Sequence, residues 1–227
     1  TVWERGAPIY CYSRGFKDPV SREPRDIADH FDLASVSKEF TAIAILRMVE
    51  EEKLSLETRL DRFFSQLPNA KDITIYHLLT HTHGLPEFTA AEAYDDTQEV
   101  KMDSVIKVMA EMEPNFPPGT DYRYGNVSYF LLAKISEKVT GQKHSEHIRE
   151  NLLEPANMLE TYFLSDNIQP FERVSGFYQN NNEVSRVEKD RHPSHFTGYG
   201  DMVSTFNDLQ KWYRSLSEVK IISKKMF

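Results

Sequence analysis

The feature that most constrains the fold is a run of residues, 38–50, whose apolar side chains fall on almost every face of a helix. A helix of this kind is normally buried, because none of its faces is polar enough to meet water. The sequence therefore predicts a core helix over 36–52, which follows a short strand-like piece at 31–34. Ser35 lies where the two meet, so its side chain can be rigidly held and still accessible.

Ser35 and Lys38 stand one helical turn apart, which places them on the same face with roughly 5–6 Å between their Cβ atoms. A hydroxyl beside an amine at a helix start can become a nucleophile without a histidine, because the amine can accept its proton. The same Ser-x-x-Lys spacing recurs at 104–107 and 217–220, on what read as exposed helix surfaces. The spacing alone therefore leaves open that Ser35 simply caps the helix.

A second pair of polar side chains, Tyr124 and Asn126, lies between two predicted helices. In an extended loop, residues two apart project the same way, so a phenol and an amide can point together into a cleft. A phenolate beside a lysine can act as a general base, and an amide can orient a substrate or hold the lysine. The pattern recurs at 178–180, so a turn tyrosine followed by a helix-capping asparagine remains the alternative.

Three histidines, His77, His81 and His83, are close together in the sequence. His77 and His81 have the spacing of a zinc-binding helix, but Leu78 stands where a metalloprotease has its glutamate, and the next acidic residue is Glu87. The pattern therefore argues against a metal site. A Ser-His-Asp hydrolase is also disfavoured, because no Gly-x-Ser-x-Gly motif occurs.

Composition narrows the function classes. The 227 residues carry a net charge of −8 with no basic stripe, which argues against a nucleic-acid partner. A single cysteine, Cys11, excludes an intrachain disulfide. No run of about 18 apolar residues occurs, so no transmembrane segment is predicted. The partner that we expect is a small-molecule or peptide substrate.

The order of elements follows from periodicity and turn residues. The predicted strands are 7–16, 161–164 and 172–187, the predicted helices are 36–52, 54–64, 74–79, 103–112, 126–139, 143–153 and 205–215, and a turn is predicted at 5–6. Thr74 and Asp103 are expected to cap two of these helices, and Thr205 or Asn207 the last one.

Strands near both ends with helices between them predict an α/β (α+β) fold with a mostly helical inserted region. We expect a single domain in which 1–55 and 165–227 form the α/β part and 56–164 the mostly helical part. The strands at 7–16 and 172–187 can pair only if the helical region is such an insertion. The helical region and the core helix would then form the two walls of a cleft.

In combination, several stretches resemble the serine β-lactamase and penicillin-binding protein superfamily, and within it the class C β-lactamase, D-Ala-D-Ala carboxypeptidase and esterase branch. The resembling stretches are 31–42, 73–86, 117–126, 153–161 and 198–205. They follow one another in the family's order and cover nearly all of the chain. The resemblance implies the β-lactamase/transpeptidase-like fold, an antiparallel sheet flanked by helices with a mostly helical inserted region.

The same resemblance implies roles for the site residues. Ser35 would attack a carbonyl of an amide, β-lactam or ester and form an acyl-enzyme, while Lys38 and Tyr124 would share the proton transfer. Asn126 would help to position the substrate, and the backbone N–H of Ser35 would supply half of an oxyanion hole. No metal or organic cofactor is implied. The alternative is a penicillin-binding sensor, or an inactive β-lactamase-like binding protein, without turnover.

Other expectations are less specific. The resemblance implies export to the periplasm or the extracellular space, without excluding the cytoplasm, and leaves the oligomeric state open. The family's third motif, Lys-Thr-Gly or His-x-Gly, does not occur before Phe227. We therefore expect the C-terminal part of the fold, with the second oxyanion donor, to be absent from these residues. His83 stands where this branch often has a serine.

Overall fold

The computed structural model describes residues 2–4, 7–18, 21–90, 95, 97–166, 173–174, 176–180, 183–186 and 191–226. Within these ranges the strands are β1 (Val2–Glu4), β2 (Ala7–Tyr10), β3 (Phe31–Asp32), β4 (Tyr162–Phe163), β5 (Phe177–Asn180), β6 (Glu183–Arg186) and β7 (Met202–Ser204). The α-helices are α1 (Ser37–Glu50), α2 (Asp61–Phe64), α3 (Ile75–Leu79), α4 (Met102–Ala110), α5 (Val127–Thr140), α6 (His144–Ile148) and α7 (Phe206–Ser217). The predicted turn at 5–6 and parts of the predicted strand region 172–187 lie outside the described residues.

The apolar run forms the helix at the centre of the structure, α1. Phe40 and Ile45 are completely buried. Ile45 and Met48 pack in one hydrophobic cluster with side chains of α3 and α5, whereas Phe40 packs in a second cluster and stacks on Trp212 of α7 with ring centroids 4.3 Å apart. Burial of each such side chain stabilises the fold by about 1.5–3 kcal/mol. The prediction of a buried core helix is confirmed.

The central sheet of the described chain is three-stranded and antiparallel, in the order β3-β7-β4. In its register, Phe31 pairs with Ser204, and Phe163 pairs with Met202. β1 and β2 form one hairpin, and β5 and β6 another. The pairing of 7–16 with 172–187 that an inserted helical region would allow is therefore not found in the described residues. Each of these strands pairs within a local hairpin, which costs less chain entropy than closing a long loop.

Three helix ends in the described chain are formed by typical capping residues. Thr74 caps α3 in a capping box, Thr205 caps α7, and Gly141 ends α5 with a left-handed φ of 73°. The prediction that Asp103 caps α4 is wrong, because the N-cap is Lys101 and Asp103 lies in the first turn. A carboxylate in the first turn still interacts favourably with the helix dipole, which explains why an acidic residue occurs at the second position of the helix.

The lack of a side chain at Gly198 allows the segment 198–202 to lie close to both α5 and α1. Gly198 has a φ of 78°, and a Cβ atom on it would come within 2.6 Å of the Ala133 side chain on α5. Its carbonyl accepts a hydrogen bond from the Thr41 hydroxyl on α1 at 2.8 Å. The close approach brings the next carbonyl, that of Tyr199, to Lys38. Within the described ranges, every helix is too short or too polar to span a membrane.

Candidate active site

The backbone turns sharply immediately before Ser35. Ala34 has a φ of 46°, in the left-handed region that residues with a side chain rarely adopt. Such a conformation costs of order 1–3 kcal/mol and persists only where the surroundings hold it. Ser35 then lies in a single 3-10 turn, Ala34–Val36, which leads directly into α1. Neither this turn nor α1 is capped by a side-chain hydrogen bond, so the interpretation of Ser35 as a helix cap is wrong.

Lys38 occupies the centre of the site and is 6% exposed. Its Nζ lies 3.1 Å from Ser35 Oγ, 2.8 Å from Asn126 Oδ1 and 3.4 Å from the carbonyl oxygen of Tyr199. An ammonium has three protons to donate, and three oxygen atoms surround it here. The side chain is therefore held in one position, with one of its contacts directed at the serine oxygen.

Aromatic rings line the rest of the space around Lys38. Its Nζ lies 4.8 Å from the ring centroid of Tyr124, 5.9 Å from that of Tyr129 and 5.3 Å from that of Tyr199. The faces of aromatic rings attract a cation while they exclude water. The rings thus accommodate a buried lysine, either as a cation or as a neutral amine, beside the serine.

Tyr124 completes the contact with the serine. Its hydroxyl forms a hydrogen bond of 2.8 Å with Ser35 Oγ. Partial burial acts to raise the pKa of Tyr124, but its interactions with Lys38 and Ser35 favour the phenolate and lower the pKa overall. A tyrosine with a lowered pKa that touches the serine hydroxyl is well placed to take its proton as the phenolate.

The loop that carries Tyr124 and Asn126 is held from behind by Glu87. The Glu87 carboxylate accepts hydrogen bonds from the backbone N–H of Asn126 at 2.5 Å and of Val127 at 3.2 Å, and so caps the start of α5. Gly125 makes this approach possible, because a Cβ atom on it would lie 2.1 Å from Glu87 Oε1. No pattern around Glu87 predicts this role. The only signal in the sequence is the glycine between Tyr124 and Asn126.

The three histidines have separate structural roles. His77 belongs to the capping box of Thr74, and His83 accepts a hydrogen bond from the backbone N–H of Leu85 at 2.9 Å. His81 lies against Tyr124, with ring centroids 4.7 Å apart. Burial, followed by the proximity of His81 and His77, lowers the pKa of His83 to about 4. In the described part of the chain, no group of three or more potential ligands is arranged to hold a metal ion.

A cleft of about 380 Å³ opens beside Ser35. Its lining includes Asn126 and the mostly apolar side chains Leu164, Phe196 and Tyr199. Tyr178, from the second Tyr-x-Asn pattern, also lines the cleft but does not replace Tyr124. The other Ser-x-x-Lys pairs, 104–107 and 217–220, are exposed, as expected. The structure thus brings Ser35, Lys38, Tyr124 and Asn126 together at one side of a cleft.

The profile of the beta-lactamase family matches residues 1–226 of the chain. The chain belongs to the beta-lactamase family. The resemblance seen in the sequence blocks is therefore confirmed. A penicillin-binding protein of Bacillus subtilis (strain 168) is 30% identical over 237 aligned positions, which cover 97% of this chain and 52% of that protein. Protein flp of Staphylococcus aureus (strain COL) is 26% identical and is covered over 41% of its length, so the chain spans about half of the curated relatives it matches.

Solved structures of related proteins agree with this family fold. The D-amino acid amidase of Ochrobactrum anthropi SV3 superposes with a TM-score of 0.82 and 26% identity, over 94% of this chain and 62% of that one. An octameric penicillin-binding protein homologue from Pyrococcus abyssi superposes with a TM-score of 0.83 and 26% identity, over 98% of this chain and 53% of that one. The expected β-lactamase/transpeptidase-like fold class is confirmed, whereas the division into 1–55, 56–164 and 165–227 remains a prediction.

Proposed function

We propose that this beta-lactamase-family protein is a serine hydrolase that forms an acyl-enzyme at Ser35. The observation that carries the proposal is that Ser35 Oγ contacts two groups able to move its proton, Lys38 Nζ at 3.1 Å and the Tyr124 hydroxyl at 2.8 Å. The substrate class that this site suits is an amide, a β-lactam or an ester. The names of the relatives, penicillin-binding proteins and an amidase, support the same class.

In the acylation step, Ser35 Oγ attacks the carbonyl carbon of the substrate and a new C–O bond forms. The serine proton passes to the pair formed by Tyr124 and Lys38. When the bond to the leaving nitrogen or oxygen breaks, the same pair returns the proton to the leaving group. General acid–base catalysis of this kind contributes about 10²- to 10⁴-fold to a rate. Water then attacks the acyl carbon and gives a proton to the same pair. The bond between that carbon and Ser35 Oγ breaks, the serine takes the proton back, and the acid product leaves.

Two further groups can donate hydrogen bonds to the substrate, the side-chain amide of Asn126 and the backbone N–H of Ser35. Because Asn126 Oδ1 accepts from Lys38 at 2.8 Å, the NH₂ end of the same amide remains to donate to a substrate carbonyl in the cleft. The backbone N–H of Ser35 lies in the first turn before α1, where helix geometry leaves N–H groups without intrahelical partners. That N–H can stabilise the negative oxygen of the tetrahedral intermediate.

Substrate preference and location belong to the same proposal. The apolar side chains Leu164, Phe196 and Tyr199 suit a substrate with an apolar group on its acyl side. Export is inferred from the family alone. Fractionation of cells into cytoplasmic and exported material would test it, and recovery of the full-length protein only in the cytoplasm would contradict it.

Covalent labelling tests the function. The full-length protein is incubated with a fluorescent penicillin and, separately, with a fluorescent fluorophosphonate. We expect labelling that is lost in Ser35→Ala and retained in Ser217→Ala, since Ser217 belongs to an exposed Ser-x-x-Lys pair. Release of a hydrolysed product would support the hydrolase, and a stable adduct without release would support an acylated sensor. Absence of labelling with both reagents would contradict the proposal.

A further inference from the structure

His81 is not part of the proton path from Ser35, yet it touches the loop that carries Tyr124 at several points. The backbone carbonyl of His81 accepts a hydrogen bond from the N–H of Arg123 at 3.1 Å. Its ring lies against the ring of Tyr124, with centroids 4.7 Å apart and planes tilted by 44°. The contacts therefore reach the residue immediately before the catalytic tyrosine and the tyrosine itself.

The imidazole of His81 also binds the residues that follow Tyr124. Its Nδ1 lies 3.2 Å from Ser128 Oγ and accepts a long hydrogen bond of 3.5 Å from the N–H of Gly125. A backbone N–H can only donate, so Nδ1 carries no proton and the neutral ring carries its proton on Nε2. A protonated ring would carry a hydrogen on Nδ1, which would remove the contact with the N–H of Gly125 and reverse the direction of the hydrogen bond with Ser128.

The surroundings of His81 favour the neutral ring. Burial, and then the charge of Lys38, lower the pKa of His81. The titratable and charged groups that face it from neighbouring segments are Lys38 on α1, Tyr122 and Tyr124 on the loop, Tyr129 on α5, Glu87 behind the loop, and His77 and His83 on its own segment. His81 itself has a φ of 58°, so the backbone is bent to present this ring to the loop.

We propose that His81 is a positioning residue that holds the segment 123–128, the end of the loop and the start of α5, so that the hydroxyl of Tyr124 lies against Ser35. The proposal rests on the proposed function only in that it gives this position of Tyr124 a catalytic purpose. His81 also packs against the buried ring of Tyr129 on α5, with ring centroids 5.2 Å apart. Its hydrogen bonds lie on both sides of the tyrosine, at Arg123 and at Gly125 and Ser128.

Two substitutions separate the hydrogen bonds of His81 from its ring. His81→Asn keeps an acceptor near the position of Nδ1, and asparagine tolerates a positive φ. His81→Phe keeps a ring against Tyr124 but removes the acceptor. His83→Asn is the matched control, because the Nδ1 of His83 accepts from Leu85 rather than from the loop. Thermal unfolding of each variant establishes that it is folded.

The first readout does not require activity. The Tyr124 hydroxyl is titrated by NMR with isotope-labelled tyrosine, and its signal is assigned by its absence in Tyr124→Phe. We expect the pKa of Tyr124 to stay lowered in His81→Asn and His83→Asn, and to rise toward its ordinary value in His81→Phe. If His81→Phe does not fold, Ser128→Ala replaces it, with a smaller rise expected. An unchanged pKa of Tyr124 in folded His81→Phe, or in Ser128→Ala when it stands in, would overturn the proposal.

The second readout is the rate of acylation by the fluorescent penicillin, separated from binding. A misplacement of about 1 Å can cost about 100-fold in rate, so we expect a loss of that order in His81→Phe with reagent affinity retained. His81→Asn should remain within about fivefold. A slower acylation of His81→Phe without a change in the pKa of Tyr124 would overturn the positioning role. If the unsubstituted protein is not acylated while the titration behaves as expected, the positioning role stands and the proposed function fails.

Discussion

At the scale of single residues, the position of Lys38 determines what Ser35 can do. Three oxygen atoms hold its Nζ, and only one of them belongs to the serine. The other two come from Asn126 and from the carbonyl of Tyr199, which lie far from Lys38 in the sequence. The amine is therefore fixed before any substrate arrives, which is what proton transfer in a rigid site requires.

Removal of either partner of Ser35 is expected to slow acylation much more than it weakens binding. Tyr124→Phe keeps the ring beside Lys38 and removes only the hydroxyl, while Lys38→Ala removes the amine. Each should lower the acylation rate constant by about 10²- to 10⁴-fold, because each removes a group that moves the serine proton. Stopped-flow acylation over a range of reagent concentrations measures rate and affinity separately. Losses of the same size in the affinity for the reagent, with an unchanged acylation rate constant, would contradict these roles.

The sequence predicted the residues of the proposed proton path but not those behind it. Ser35, Lys38, Tyr124 and Asn126 lie in short motifs that the family blocks single out as candidates, and the structure places the four side chains together. Glu87 becomes important only because its carboxylate reaches the backbone of a residue that is 39 positions further along the chain. No local pattern encodes a contact of that kind, so tertiary structure was needed to find it.

At the scale of elements, the start of α5 and the loop before it form one unit that Glu87 holds together. Helix α5 has no side-chain cap of its own at Asn126, and the carboxylate of Glu87 supplies the missing acceptor. An acceptor at a helix start is worth about 0.5–2 kcal/mol of stability. Because these N–H groups follow Tyr124 closely in the chain, the capping interaction also fixes the loop that carries Tyr124.

Gly125→Ala tests this unit. A Cβ atom would lie 2.1 Å from Glu87 Oε1, so the carboxylate or the loop has to move. We expect a loss of about 1–3 kcal/mol in the free energy of unfolding, together with slower acylation. In a Glu87→Ala background the further loss should be smaller, and a double-mutant cycle measures the coupling.

Gly141→Ala is the control for this test. Unlike Gly125, it has a positive φ, of 73°, and no atom lies within 4 Å of the added Cβ. It should lower stability through backbone strain and leave the acylation rate unchanged. Full additivity of Gly125→Ala and Glu87→Ala would show that the two residues are not coupled in the way the structure indicates.

The elements themselves were predicted with uneven success, for physical reasons. The buried helix α1 and the capped helices α3 and α7 carry strong local signals in their apolar faces and threonine caps. The strand β7, by contrast, is only Met202–Ser204, and it is a strand because β3 and β4 lie on either side of it. A strand that short has no periodicity to read, so its place at the centre of the sheet was visible only in the structure.

At the scale of the whole molecule, two buried titratable groups lie in or beside the segment 198–202, which packs against α1. Asp201 is 3% exposed, and burial raises its pKa to about 7. His144 is 1% exposed, and burial, together with nearby positive charge, lowers its pKa to about 3. Thr41 donates to the carbonyl of Gly198, so it accepts from Nε2–H of His144. These two groups give folding opposite dependences on pH.

Asp201 is expected to make the protein less stable as the pH rises. Its pKa is raised from 3.8 to about 7, so the folded state holds a proton that the unfolded chain has released between these values. The contribution of the protonated group is complete below pH 3.8 and is lost as the pH passes about 7. Asp201→Asn should therefore gain stability relative to the unsubstituted protein between about pH 5 and about pH 8, measured by urea unfolding. A difference that is constant with pH would contradict this.

His144 is expected to act in the opposite direction. Its pKa is lowered from 6.5 to about 3, so between these pH values the unfolded chain carries a proton on this histidine and the folded protein does not. Its contribution is complete above pH 6.5 and is lost as the pH falls toward 3. His144→Gln keeps a donor for Thr41 and does not titrate, so its stability should fall less on acidification than that of the unsubstituted protein. Urea unfolding at several pH values measures this, and parallel curves for the two proteins would contradict it.

The most direct measurement of the central claim is to locate the acyl group after reaction with a penicillin. The full-length protein is acylated, digested and analysed by mass spectrometry, and the peptides that contain Ser35, Ser104 and Ser217 are compared. If Lys38 and Tyr124 activate Ser35, the mass of the penicilloyl group will be found on the Ser35 peptide alone and will be greatly reduced there in Tyr124→Phe. An adduct on either of the other two peptides, or an adduct on Ser35 that forms equally fast in Tyr124→Phe, would contradict the claim.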